Sequence, residues 1–157
     1  MNKTMNNLII HPKDSSTDFL KPIYQNVTGE RIGQEETTPD AILNLIKKSD
    51  RVMMMGHGCS RGLFSIRIFP PYKKFIVVHD EETDIFQNQN ENIYIWCNAD
   101  QYVLANDLHG FYSGMFISEV GEARFCRLSE ITQNIVDESN HAFSAILGKY
   151  EIGRAHV

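Results

Sequence analysis

Apolar and polar positions divide the chain into short, regularly spaced segments. Leu8-Ile9-Ile10 is an apolar run that stops at His11-Pro12 and predicts a first strand. Asp14 to Thr17 are cap-type residues, and Asp18–Gln25 is read as a short helix that contains Pro22. Val27–Ile32 predicts a second strand. Thr38-Pro39-Asp40 is a strong helix start: a capping hydroxyl, proline at the first helical position and a carboxylate in the first turn. Ile42, Leu45 and Ile46 then share one face, and Lys47-Lys48 complement the helix end near Ser49. Val52-Met53-Met54-Met55 is unbroken and apolar, as suits a strand buried on both faces. It ends at Gly56-His57-Gly58.

Leu63–Phe69 and Phe75–Val78 flank Pro70-Pro71-Tyr72-Lys73-Lys74, which predicts a hairpin with a proline turn. The polar stretch Glu81–Asn92 holds a short helix around Thr83–Gln87. Ile93-Tyr94-Ile95-Trp96 is the next strand, stopping at Cys97-Asn98. Ala99–Leu108 has helical spacing, and Phe111–Ile117 reads as a strand interrupted by Ser113-Gly114. Ser118 is expected to cap a helix through Cys126. A last helix is expected from the Ser129 cap to about Leu147, stopped by Gly148. Strands that alternate with helices predict an α/β three-layer sandwich with a mostly parallel sheet.

The composition fits one such domain. The chain has 157 residues, 42% of them apolar, enough to form a core. Its formal net charge of −5 argues against a nucleic-acid partner, which calls for a basic patch. No apolar run approaches the length of a membrane span or a secretory leader. Three cysteines do not make a disulfide framework, so a reducing, cytoplasmic setting is expected. The last seven residues, Glu151 to Val157, look like the peptide that a common sequencing adapter gives when read in frame, and the adapter's next triplet is a stop. The expectation is therefore a natural domain over residues 1–150, cut short in a gene that continues past Tyr150, with 151–157 an artefact.

In an open α/β sheet, ligands bind beyond the carboxyl ends of the strands. The residues that end apolar runs are His11, His57, His79-Asp80 and Cys97. An imidazole and a thiol on two strand ends are what nucleophilic catalysis needs: the imidazole takes the thiol proton and the thiolate attacks a carbonyl. Gly56 and Gly58 flank the histidine and allow close backbone approach. The N–H groups of Gly58 and Cys97 are then candidate donors to a tetrahedral oxyanion.

These segments resemble the caspase-like cysteine peptidases, a superfamily that includes caspases, metacaspases, clostripain, gingipains, separase and CHAT domains. MMMGHGCSRGLFS is similar to the His-Gly strand end of that group, and IYIWCNAD to its nucleophile strand. The intervening hairpin and polar helix suit its layout, and the resemblance covers roughly Leu8 to Ile117. The chain differs from the group at Trp96, where a small residue is common, and at Ala99, where Ser or Gly is common. The resemblance implies a general base at His57, a nucleophile at Cys97, an oxyanion donor at Gly58, and a peptide or protein as substrate.

Plainer readings stand beside these. Cys97 alone reads as a buried small hydrophobe, and His57 as a hydrogen-bonded strand end. Asp100 either lines a pocket for a basic substrate group or caps the next helix. Arg61 either meets an acidic substrate group or is solvated. Cys59 is a second thiol near the site or an incidental loop residue, and Cys126 packs in a core. No C-x-x-C or H-x-x-x-H spacing occurs, so neither metal nor other cofactor is expected. The Gly56–Gly62 loop lacks the Lys-Ser/Thr of a phosphate loop. Two other functions remain open: a catalytically inactive binding or sensing module, and a small-molecule enzyme using the same strand-end crest.

Overall fold

The apolar runs become neighbouring strands in the computed structural model, which describes residues 3–33, 37–69 and 74–155. The strands are β1 (Asn7–Ile10), β2 (Gly29–Ile32), β3 (Arg51–Met55), β4 (Gly58–Cys59), β5 (Gly62–Phe69), β6 (Lys74–Ile76), β7 (Asn92–Ile95) and β8 (Gly110–Tyr112). The helices are α1 (Pro39–Lys48), α2 (Ala99–Ala105), α3 (Val120–Phe125) and α4 (Gln133–Ala155), with 3-10 segments at Ser15–Ile23 and Asp80–Phe86. The chain forms two units, one of Met1–Lys13 with Thr28–Met115 and one of Asp14–Val27 with Phe116–Val157.

The first unit is built on a five-stranded sheet in the order β2-β1-β3-β7-β8. All four pairings are parallel. Leu8, Ile10, Val52, Met54, Tyr94 and Trp96 meet Ile42 and Ile46 of α1 and Tyr102 and Val103 of α2 in one core. The alternate residues Ile9, Met53, Met55, Ile93 and Ile95 are each 2% exposed or less. The three central strands β1, β3 and β7 are thus buried throughout, which explains why they read as continuous apolar runs, while the edge strands β2 and β8 are mostly exposed. The protein is α/β with the layering of a three-layer sandwich.

The expected start of α1 is present: the Thr38 hydroxyl accepts the Ala41 N–H at 3.2 Å and Pro39 opens the helix. The expected hairpin is β5 with β6, and its proline turn at 70–73 lies outside the described residues. β4 was not anticipated. It pairs antiparallel with β5 over Gly58↔Leu63 and Cys59↔Gly62, which makes the segment after β3 a second tight hairpin.

Several sequence expectations are corrected. The predicted strand Phe111–Ile117 is only Gly110–Tyr112. Beyond it, the carbonyls of Ser113 and Gly114 accept the N–H groups of Asp100 and Asn98, so they serve the start of α2 instead of a ladder. Asp100 is not the cap of α2; Asn98 occupies that position. In the second unit Ser118 is not a helix cap either. Glu119 is, while the Glu122 carboxylate accepts the Ser118 N–H at 2.7 Å and the Ser118 hydroxyl at 2.9 Å. Cys126 ends α3, half-buried. The last helix begins at Gln133, not Ser129, and runs through Gly148. A Cβ on Gly148 would lie 2.6 Å from the Pro22 carbonyl oxygen. That glycine lets α4 approach the Ser15–Ile23 segment; it does not stop the helix.

Candidate active site

β3 and β7 are adjacent, with Met53↔Ile93, Met54↔Tyr94 and Met55↔Ile95 in register. The Gly56 N–H continues the ladder to the Ile95 carbonyl at 3.0 Å. His57 lies two residues beyond Met55, and Cys97 two residues beyond Ile95. Each therefore follows the carboxyl end of one of two neighbouring strands, two positions past the last paired residue. Both are half-buried. Just past β7, Trp96 joins the core that holds Tyr94, and Cys97 follows it in the turn that leads to α2.

The exit from β3 is shaped by two glycines. Gly56 has φ 147°, a conformation side chains rarely adopt, and breaks the strand just before the histidine. The chain then folds back, and the His57 carbonyl accepts the Phe64 N–H at 2.8 Å. In a trans peptide the N–H points opposite to the carbonyl. The Gly58 N–H, which shares that peptide, is thus directed away from β5. The other side of Gly58 lies flat on an indole: an added Cβ would come 2.3 Å from Cδ1 of Trp96 and 2.6 Å from its Cγ. The Trp96 Nε1–H donates to the Cys59 carbonyl at 2.9 Å.

The exit from β7 follows similar logic. The Trp96 carbonyl accepts from the Ala99 N–H at 3.1 Å and from the Ser113 hydroxyl at 3.0 Å, on the side where the chain leaves β8. The Cys97 N–H shares that peptide and so is directed to the opposite side, toward β3. Asn98 then adopts the left-handed conformation, φ 64°, which Asn tolerates better than most residues. This single residue turns the chain directly from strand into α2, leaving Cys97 at the tip.

The residues singled out as substrate-facing have different surroundings. Cys59 sits in β4, and its Sγ accepts the Arg61 N–H at 3.4 Å. The Arg61 guanidinium lies 3.5 Å from Asp80, and the Asp80 carboxylate is 2.8 Å from Nδ1 of His79. The His79 hydrogen bond, with the Arg61 charge adding to it, holds the Asp80 carboxyl below the usual carboxylate range. Asp100 lies in the first turn of α2, and its Oδ1 is buried without a hydrogen-bond partner among the described residues. His11 follows β1, buried, with its N–H on the Ile32 carbonyl at 2.9 Å. None of the three cysteines is in a disulfide. No cluster of His, Cys, Asp and Glu suited to a metal occurs among the described residues. No helix among them is long and apolar enough to cross a membrane.

Two residues without a role in the sequence reading hold this edge together: Trp96, and Ser113, which had only broken a strand. Their partners are 37 and 17 positions away in the chain, so no local pattern announces them. A separate cavity of about 540 Å³ belongs to the second unit, lined by Asp18, Glu119, Asp137, Asn140 and His141 among others, and contains none of the predicted site residues. Comparison of the chain with protein-family models, curated proteins and solved structures returns no match.

Proposed function

We propose that the chain is a cysteine peptidase of the caspase-like type, in which His57 and Cys97 form a catalytic dyad. The observation that supports this reading is the pairing of β3 with β7, since His57 and Cys97 each follow two residues past the last pair, Met55↔Ile95. The Cys97 thiol gives its proton to the His57 imidazole, and the thiolate attacks the scissile carbonyl. The N–H groups of Gly58 and Cys97 supply the oxyanion donors. Support for that role comes from their fixed directions, one set by the His57–Phe64 bond and the other by the Trp96 carbonyl. Collapse of the tetrahedral adduct expels the amine, which leaves with the proton from His57. Water, deprotonated by the same imidazole, then releases the acid and regenerates the thiol.

The test is digestion of a peptide library by the wild type and by Cys97→Ala. Cleavage that disappears with the thiol supports the peptidase. No Cys97-dependent cleavage in the library overturns it and leaves a binding module or a small-molecule enzyme.

A further inference from the structure

We infer that Trp96 is a positioning residue for the dyad, joining the strand that carries the nucleophile to the hairpin that carries the base. The inference rests on the peptidase reading and adds to it the element that sets the dyad's geometry. The backbone of Trp96 leads directly into Cys97, so any displacement of the indole is felt at the thiol. The indole is fully buried and fixed from within the first unit. Its ring packs edge-on against Tyr94 at 5.9 Å and Tyr102 at 5.2 Å between centroids. The Tyr102 hydroxyl is itself bound to the Val78 carbonyl at 3.0 Å.

The outer edge of the same ring holds the β4 hairpin in two ways. Its N–H donates to the Cys59 carbonyl, and its face excludes any side chain at position 58. The hairpin in turn holds His57 through the His57–Phe64 backbone bond and sets the direction of the Gly58 N–H. A single side chain thus couples the thiol, the imidazole and one oxyanion donor. Core packing alone requires a large apolar ring at this position. It does not require a donor aimed at the turn carbonyl, and a phenylalanine would serve it. The donor aimed at that carbonyl is the feature that apolar packing leaves unexplained.

The discriminating readout is the rate at which iodoacetamide alkylates Cys97 between pH 5 and 8, measured with and without His57→Ala, with Cys126 as internal reference. Trp96→Phe keeps a ring and loses the donor. It is expected to lower the His57-dependent part of the Cys97 rate at pH 6 by about tenfold, leaving Cys126 unchanged. Gly58→Ala, whose Cβ would meet both the ring and the Gly62 carbonyl oxygen, is expected to do the same. Should Trp96→Phe fail to fold, benzothienylalanine at position 96 replaces the N–H by sulfur at nearly constant shape, with the same loss expected. Fluorotryptophan, which keeps the donor, is expected to restore the wild-type rate. Val103→Ala weakens the same core without touching the hairpin and is expected to leave the Cys97 profile in place. A His57-dependent rate that survives removal of the N–H overturns the positioning role alone. A wild-type rate that never depended on His57 overturns both the role and the peptidase reading.

Discussion

Asn92 offers a direct test of how the β3–β7 register is held. Its side chain is fully buried at the start of β7. Its Oδ1 accepts the Val52 N–H at 2.8 Å, and its Nδ2 donates to Gln89 Oε1 and to the Tyr94 hydroxyl, both at 3.0 Å. Gln89 continues the network to the Ile46 and Ser49 carbonyls at the end of α1. The strands themselves pair over only Met53–Met55, and a one-residue slip would send every core side chain to the wrong face. Asn92→Ala removes three buried hydrogen bonds and strands their partners away from water. Each stranded group costs roughly 1–3 kcal/mol, and relaxation of the Gln89 amide recovers part of this. The expected loss is about 3–5 kcal/mol, or a melting temperature lower by about 6–20 °C in a chain of this size. Urea unfolding of wild type and variant, followed by far-UV circular dichroism, measures it. The exposed neighbour Asn88→Ala is the control, expected to stay within about 0.5 kcal/mol. An Asn92→Ala loss no larger than that control would refute the idea that the network pins the register.

Gly148→Ala separates two readings of one glycine. Helix propensity alone stabilises by about 1 kcal/mol. The 2.6 Å approach of the new Cβ to the Pro22 carbonyl predicts instead a net loss of about 1–3 kcal/mol by thermal melting, and a rise in stability would contradict the close packing of α4. Burial pushes the Tyr94 hydroxyl up to about 12 and Tyr102 upward as well. A folded value above the unfolded one means that stability is intact below pH 10 and falls as pH rises from there toward 12, by about 3 kcal/mol for Tyr94. Absorbance at 295 nm should show these two phenols ionising only as the chain unfolds, and Tyr94→Phe should flatten the alkaline loss. Asp80 has the opposite sign. Its depressed value gives stability present above the ordinary carboxylate range and lost as pH falls through the folded value. His79→Ala should raise the Asp80 titration seen by carboxyl NMR, and an unchanged curve would mean the 2.8 Å contact is not formed in solution.

What the sequence disclosed depends on the range over which each residue's partner lies. Thr38-Pro39-Asp40 announces α1 because a cap and its helix are neighbours in the chain. Val52–Met55 announces a strand buried on both faces because burial alone writes the pattern. The same argument placed His57 and Cys97 at strand ends, and their matching register then depends on pairings that no single segment encodes. The two-residue strand β4 is too short for any period to show. Gly148 looked like a helix stop because Pro22, which demands it, is remote in the chain. Phe111–Ile117 is apolar on either side of Ser113-Gly114 and so read as one strand, yet the carbonyls of those two residues are taken by the start of α2. Trp96 stood out only as larger than the residue common at its position, because the carbonyl that accepts its N–H, that of Cys59, lies on another hairpin.

The most direct test of the central claim is the alkylation profile of Cys97 itself. A thiol of ordinary acidity is less than about 1% thiolate at pH 6, whereas one paired with an imidazolium is mostly ionised there. The lower intrinsic nucleophilicity of such a thiolate leaves a net advantage of about tenfold. Iodoacetamide at pH 6, with the modified cysteines counted by mass spectrometry, should label Cys97 about ten times faster than Cys126, and His57→Ala should erase the difference. Equal rates at Cys59, Cys97 and Cys126, unchanged by His57→Ala, would contradict the dyad.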